Sequence, residues 1–246
     1  MAGRESTGTS GAASGGAASG GAGAAGAGTA SSAVGGGAER ILQAAIALFG
    51  ENGVNGTSLK AIAARAGVSP ALILHHYGSK EGLRTACDQW VATSLRTIKT
   101  EAIAEGRNLD PLAVASSFEE HRPMMRYLAR TLTDGSPHVN ELVDELVADA
   151  EAYSAEAERA GLMRPSADPH ARTALLMAWS LGGLVLHEHL ERLIGVDLLG
   201  SRGYPTRYVR AVMEIYSHGL FAEGAYSAFE TMDVPDESAG DKENNE

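Results

Sequence analysis

Apolar side chains along this chain recur at helical spacing and rarely alternate. Ile41, Leu42, Ala45, Leu48 and Phe49 form one stripe, which predicts a helix over residues 39–52. Glu51-Asn52-Gly53 ends it, with Gly53 suited to the position after a last turn. Thr57 or Ser58 then caps a second short helix whose Leu59, Ile62 and Ala63 face inward. Ala66-Gly67-Val68 reads as a tight turn, because Gly67 is free to take a positive φ. Ser69-Pro70 opens a third helix with a hydroxyl cap followed by a proline whose missing N–H would have had no partner. Ser79 caps a fourth, which continues to about residue 105 through Leu83, Cys87, Trp90, Val91, Leu95 and Ile98. The cap-plus-proline device returns at Asp110-Pro111, Ser136-Pro137 and Asp168-Pro169. Further helices are predicted over about 111–120, 122–133, 137–161, 168–194 and 205–227. The class is all-α.

Residues 172–186 are apolar on nearly every face, with Gly182-Gly183 in the middle, and a helix of that kind must be covered on several sides. Val209, Val212, Met213, Tyr216 and Leu220 repeat along one stripe of the next helix. A subunit interface and an ordinary monomer core account for these two helices equally well. The ends of the chain differ from the rest. Residues 1–37 are almost entirely Gly, Ala, Ser and Thr, a flexible arm without the basic-then-apolar order of a secretory signal. Residues 229–246 form an acidic tail, with seven acids from Glu230 onward against one lysine. Apolar runs fall short of the roughly 20 residues a membrane span requires. The single cysteine, Cys87, excludes an internal disulfide and fits the reducing cytoplasm.

Charge divides the chain in two. Residues 39–101 hold seven Lys and Arg against five Asp and Glu, whereas residues 102–246 hold twelve against twenty-five. A +2 head therefore sits on a −13 body, and a phosphate-binding surface belongs to the head. The helix, Gly turn and capped helix between residues 58 and 77 have the form of a helix-turn-helix. Ala71, Leu74, His75, His76 and Tyr77 follow the cap of its second helix, and Ser79-Lys80 places free N–H groups and an ammonium at the next helix start.

These residues resemble the N-terminal domain of TetR-family transcriptional regulators. The resemblance lies in Ile62-Ala63, Ala66-Gly67-Val68-Ser69, His76-Tyr77 and Ser79-Lys80-Glu81-Gly82-Leu83, together with the Ile-Leu-x-Ala-Ala-x-x-Leu-Phe run of the first helix. It covers about residues 38–97, a length that makes it specific. It implies a three-helix DNA-binding head over 38–97, linked by the fourth helix to a helical ligand-binding and dimerisation domain over 98–228. By the same resemblance, Thr57 and Ser58 touch phosphate from the start of the second helix. Ser69, Pro70, Ala71, Leu74 and His75 lie along the recognition helix, and His76 and Lys80 meet the DNA backbone. Ala71 replaces the family's usual Gly and Leu74 its usual Tyr. Leu74 cannot hydrogen-bond, so a contact there is apolar. Tyr77 joins the DNA-binding set, although its bulk equally suits packing the third helix onto the first.

The resemblance further implies a repressor that acts as a homodimer on a palindromic double-stranded operator and is released by a small-molecule effector. Trp90, Phe118, His121, Met125, Tyr153, Met177 and Trp179 are candidates for the effector pocket, since aromatic and methionine side chains with a few polar tips line such sites. His187 and Glu191 share a helix face while His189 points elsewhere, which does not make a metal site. No nucleophile–base pair, phosphate loop or metal spacing points to catalysis, and no cofactor is implied. An architectural DNA binder is disfavoured by the acidic body, since such proteins are basic throughout.

Overall fold

The computed structural model describes residues 28–135, 138–200 and 205–225, and every regular element among them is helical. Helix α1 spans Gly28–Gly56, α2 Leu59–Ala66, α3 Pro70–Tyr77 and α4 Lys80–Glu105. A 3₁₀ turn at Gly106–Asn108 leads to α5 (Pro111–Glu120), α6 (Arg122–Thr131), α7 (His138–Arg159), α8 (Pro169–Val185), α9 (His187–Ile194) and α10 (Thr206–His218).

Local caps fix most boundaries. The hydroxyls of Ser58, Ser69 and Ser79 accept the N–H groups of Ala61, Leu72 and Gly82 at 3.1, 3.3 and 3.0 Å. Asp168 does the same for α8, its Oδ1 lying 2.9 Å from the N of Ala171. Gly67 closes α2 at φ 65°, and its N–H turns back onto the carbonyls of Ala63 and Ala64.

Three boundaries differ from the sequence reading, and one expected break is kept inside a longer helix. Helix α1 begins at Gly28 rather than 39, so part of the expected arm is helical. No proline interrupts 28–38, and each residue added to an anchored helix needs no new nucleus. The break expected at Gly53 is present inside α1, where that residue takes φ 74° and ψ 164°. The single helix expected over 168–194 is two, because Leu186 sits at φ −95°, ψ 19° and turns the chain between α8 and α9. The last helix stops at His218, before Gly219 at φ 75°. Residues 1–27, the Ser136-Pro137 cap and the tail from residue 226 onward lie outside the described residues.

Three apolar clusters hold the helices. The largest joins Ile41, Ile46 and Phe49 of α1 to Ile62, Ile73, Leu83 and Val91, and it takes in Met124 and Tyr127 from α6. The second gathers Ala92, Leu128, Leu142 and Leu146, and the third Ala129, Val196, Leu198 and Leu199. Helix α6 therefore contributes to all three. Its fit against α1 is close: a Cβ at Gly50 would stand 2.9 Å from the backbone N of Tyr127. Of the two α8 glycines, Gly183 leaves room for a neighbour, since a Cβ there would meet the Tyr208 hydroxyl at 2.8 Å.

Candidate nucleic-acid interface

Helix α3 is short, capped at both ends, and held by one deep anchor. Ile73 is fully buried, whereas Ser69, Pro70, Ala71, Leu74 and His75 are exposed on the opposite face. Tyr77 closes the helix from beneath. It is half-buried, and its hydroxyl donates to the Ala38 carbonyl of α1 at 2.9 Å, while burial raises its pKa above the ordinary phenol value. Tyr77 thus ties α3 to α1 and is not part of the exposed face.

Two further sequence candidates have internal roles. Thr57 is only 3 % exposed, and its hydroxyl lies 2.8 Å from the Gly53 carbonyl oxygen and 3.1 Å from that of Leu48. Its hydroxyl staples the end of α1 to the start of α2. The reason is the bend at Gly53, which turns two backbone carbonyls toward that hydroxyl. His76 is half-buried between His75 and Tyr77, and its Nε2 has no partner. Ser58 and Lys80 remain at the helix starts expected of them, Ser58 exposed and Lys80 half-exposed.

The cations of this region are not all available. Arg65 closes on both carboxylate oxygens of Glu51 at 3.0 Å, a fork that joins α2 to α1 and neutralises one positive charge. Lys60 and Arg40 are exposed. Three helix N-termini, those of α2, α3 and α4, add partial positive charge to the same region.

A buried polar network links α4 to α6. Arg84 is 8 % exposed; its Nη2 lies 2.6 Å from Asp134 Oδ2 and its Nε 3.9 Å from Asp88 Oδ2. Tyr127 donates its hydroxyl to Asp88 Oδ1 at 2.6 Å. Burial raises the Asp88 pKa, while the Tyr127 hydroxyl and the Arg84 guanidinium pull it back. The sequence carried a signal for this network, an Arg and an Asp four apart within the apolar stripe Leu83, Cys87, Val91.

The expected pocket residues are spread over α4 to α8, with only Trp90 and Met125 sharing a cluster. Trp90 and Met125 pack against the first cluster and Met177 against the second. Trp179 meets Tyr216 edge-on at 5.4 Å and stays 41 % exposed. His121 bonds back to Ser117 of α5, Phe118 is half-buried, and the phenol of Tyr153 is half-buried with its pKa raised by burial. A shallow cavity of about 550 Å³, open to solvent, lies elsewhere, between α1 (Gly50, Glu51), α6 (Arg126, Arg130), Thr133 just beyond α6, and the α8–α9 junction (Leu184, Val185, His187, Glu188, Glu191). Composition pointed to adaptable side chains, but not to the helix junction that leaves a space. The described residues hold no cluster of three His, Cys, Asp or Glu placed to bind a metal, and no helix long and apolar enough to cross a membrane.

Residues 41–87 match the family model described as bacterial regulatory proteins, tetR family, and residues 119–222 match the tetracyclin repressor-like C-terminal domain. The chain is 40% identical over 192 residues to the HTH-type transcriptional regulatory protein RaaS of Mycobacterium tuberculosis, covering 77% of this chain and 90% of that relative. It is 34% identical over 167 residues to the HTH-type transcriptional repressor Rv3405c of the same organism, covering 66% and 79%. Among solved structures, the transcriptional regulator FadR from Bacillus subtilis, in complex with stearoyl-CoA, aligns at a TM-score of 0.55 and 15% identity over 74% of this chain and 99% of that one. The last likeness is one of fold.

Proposed function

Because this chain belongs to the TetR family of bacterial transcriptional regulators, we propose that it is a cytoplasmic repressor that binds a two-fold operator as a homodimer and releases it when a small molecule binds. Its family makes it a DNA-binding regulator and not an enzyme. The observation that carries the finer reading is the outward face of α3. Its exposed residues follow the α3 N-terminus, so this helix offers base-reading side chains beside N–H groups suited to phosphate.

Apolar side chains left uncovered on α8 and α10 support the homodimer. Leu175 is 72 % exposed, Met213 51 % and Tyr216 45 %, beside Trp179. Exposed apolar side chains grouped in this way mark an association surface. A pair of heads related by two-fold symmetry meets half-sites about one helical turn (~34 Å) apart, or a multiple of it. The name of one relative, a repressor, favours negative control.

The α1–α6–α9 cavity supports an effector, since an occupant there touches the last turns of α1 and the body together. The α4–α6 network and the Gly50 contact make this junction stiff. A ligand that prefers one setting of the junction lowers DNA affinity by its differential affinity for the two settings. Footprinting of the intergenic DNA beside the gene tests the reading, with one discrete palindromic protection expected. Deleting the gene should raise transcription of the flanking genes; a fall would make it an activator, and diffuse protection would make it an architectural protein.

A further inference from the structure

We propose that Leu74, with Ala71 one turn before it, reads the C5-methyl group of thymine in the major groove and so sets which operator this head prefers. The inference rests on the DNA-binding reading above and adds the base chemistry to it.

Three consecutive apolar residues of α3 have three different surroundings. Leu72 packs against the first cluster, Ile73 is fully buried, and Leu74 is 47 % exposed. Leu74 therefore makes no contribution to that cluster and stands on the face shared with Ser69, Pro70, Ala71 and His75. The helix, Pro-Ala-Leu-Ile-Leu-His-His-Tyr, contains no Arg, Lys, Asn, Gln, Asp or Glu. The bidentate codes for guanine and adenine, which need a guanidinium, an ammonium or a side-chain amide, are thus absent from it. The Ser69 hydroxyl accepts the Leu72 N–H and keeps its own proton, so Ser69 and His75 are the hydrogen-bonding side chains of the exposed face, and neither supplies a bidentate amide or guanidinium. The thymine methyl is the one apolar group on a base edge in the major groove. An isobutyl group on a helix fixed by the Ser69 cap, the Ile73 anchor and the Tyr77 tie is suited to meet it.

Replacing thymine by deoxyuridine removes that methyl and leaves every hydrogen-bonding group of the base pair in place. An operator located by footprinting is synthesised with single deoxyuridine substitutions, and binding of the full-length protein is measured by fluorescence anisotropy at fixed salt. Wild type should lose about fourfold in affinity at one or two thymines per half-site, the value of one buried methyl-sized group. Leu74→Ala should bind the parent operator more weakly and be indifferent to deoxyuridine at those positions, while Leu74→Met should stay sensitive. Because Leu74 is exposed, both variants should melt with wild type by circular dichroism. Equal affinity of wild type for every substituted operator, or full sensitivity kept by Leu74→Ala, would overturn the methyl readout alone. Absence of any discrete protected site would instead overturn the regulator reading beneath it.

Discussion

Replacing Tyr127 by Phe removes one oxygen from a buried polar contact between α4 and α6 and leaves the shape intact. The side chain is 1 % exposed, its ring stays 6.3 Å from that of Phe49, and the 2.6 Å bond to Asp88 Oδ1 is lost together with the hydroxyl's contact with Thr131. A hydrogen bond to a charged group contributes roughly 1.5–3 kcal/mol, and the Arg84 Nε at 3.9 Å is too far from Asp88 to replace it. A loss of about 2 kcal/mol is expected, or about 4–8 °C in Tm for a chain of this size. The effect should also depend on pH. Asp88 has a folded pKa raised by burial, so its contribution is complete below the ordinary carboxylate value of about 3.9 and is lost as pH rises through the folded value. Removing the phenol takes a donor from the ionised form and raises that pKa further. The deficit of the variant should be small in acid, where Asp88 is protonated, and grow toward neutrality. Thermal unfolding followed across that range, with Asp88→Asn as the reference background, is the assay. A deficit equal at every pH, or absent at neutral pH, would refute the assignment of the bond to an ionised carboxylate.

Thr57→Val should cost about 1–2 kcal/mol, read as a lower Tm, because the Gly53 and Leu48 carbonyls lose the one hydroxyl proton they share. Lys80→Ala should weaken DNA binding about equally for all sequences and reduce the slope of log K against log salt by about one, measured by anisotropy titrations over a salt series. Leu175→Glu, on the exposed face of α8, should convert the dimer to a monomer in light scattering and abolish cooperative occupation of the two half-sites.

The parts of the fold that were legible in the sequence are those decided within four residues of one another. Ser58, Ser69, Ser79 and Asp168 each cap the helix that follows because a short polar side chain reaches only the N–H groups of the next turn. Gly67 was legible for the same reason, since its turn demands a left-handed residue. What the periodicity left out depends on partners far along the chain. Thr57 resembles a phosphate contact until the Gly53 bend places two carbonyls above it, and Tyr77 resembles a reader until Ala38 claims its hydroxyl. The helix predicted through Leu186 contains no proline, and its Gly182-Gly183 pair weakens it without marking where the chain turns. The aromatic and methionine residues grouped by composition lie on different helix faces, and only the assembled helices show which face meets a void.

Helix α6 gives the reading head a property that its length along the chain conceals: it cannot be cut out. Met124 and Tyr127 complete the cluster built by α1 to α4, so a fragment ending with α4 would leave Phe49 and the Gly50 face of α1 uncovered. Fusions and grafts that treat the first hundred residues as a portable module should therefore aggregate or melt unless α6 comes with them. Selection is bound by the same joint, because a change on either surface of α6 is felt by the core that positions α3. The part of this protein that meets DNA and the part that meets everything else evolve as one folding unit.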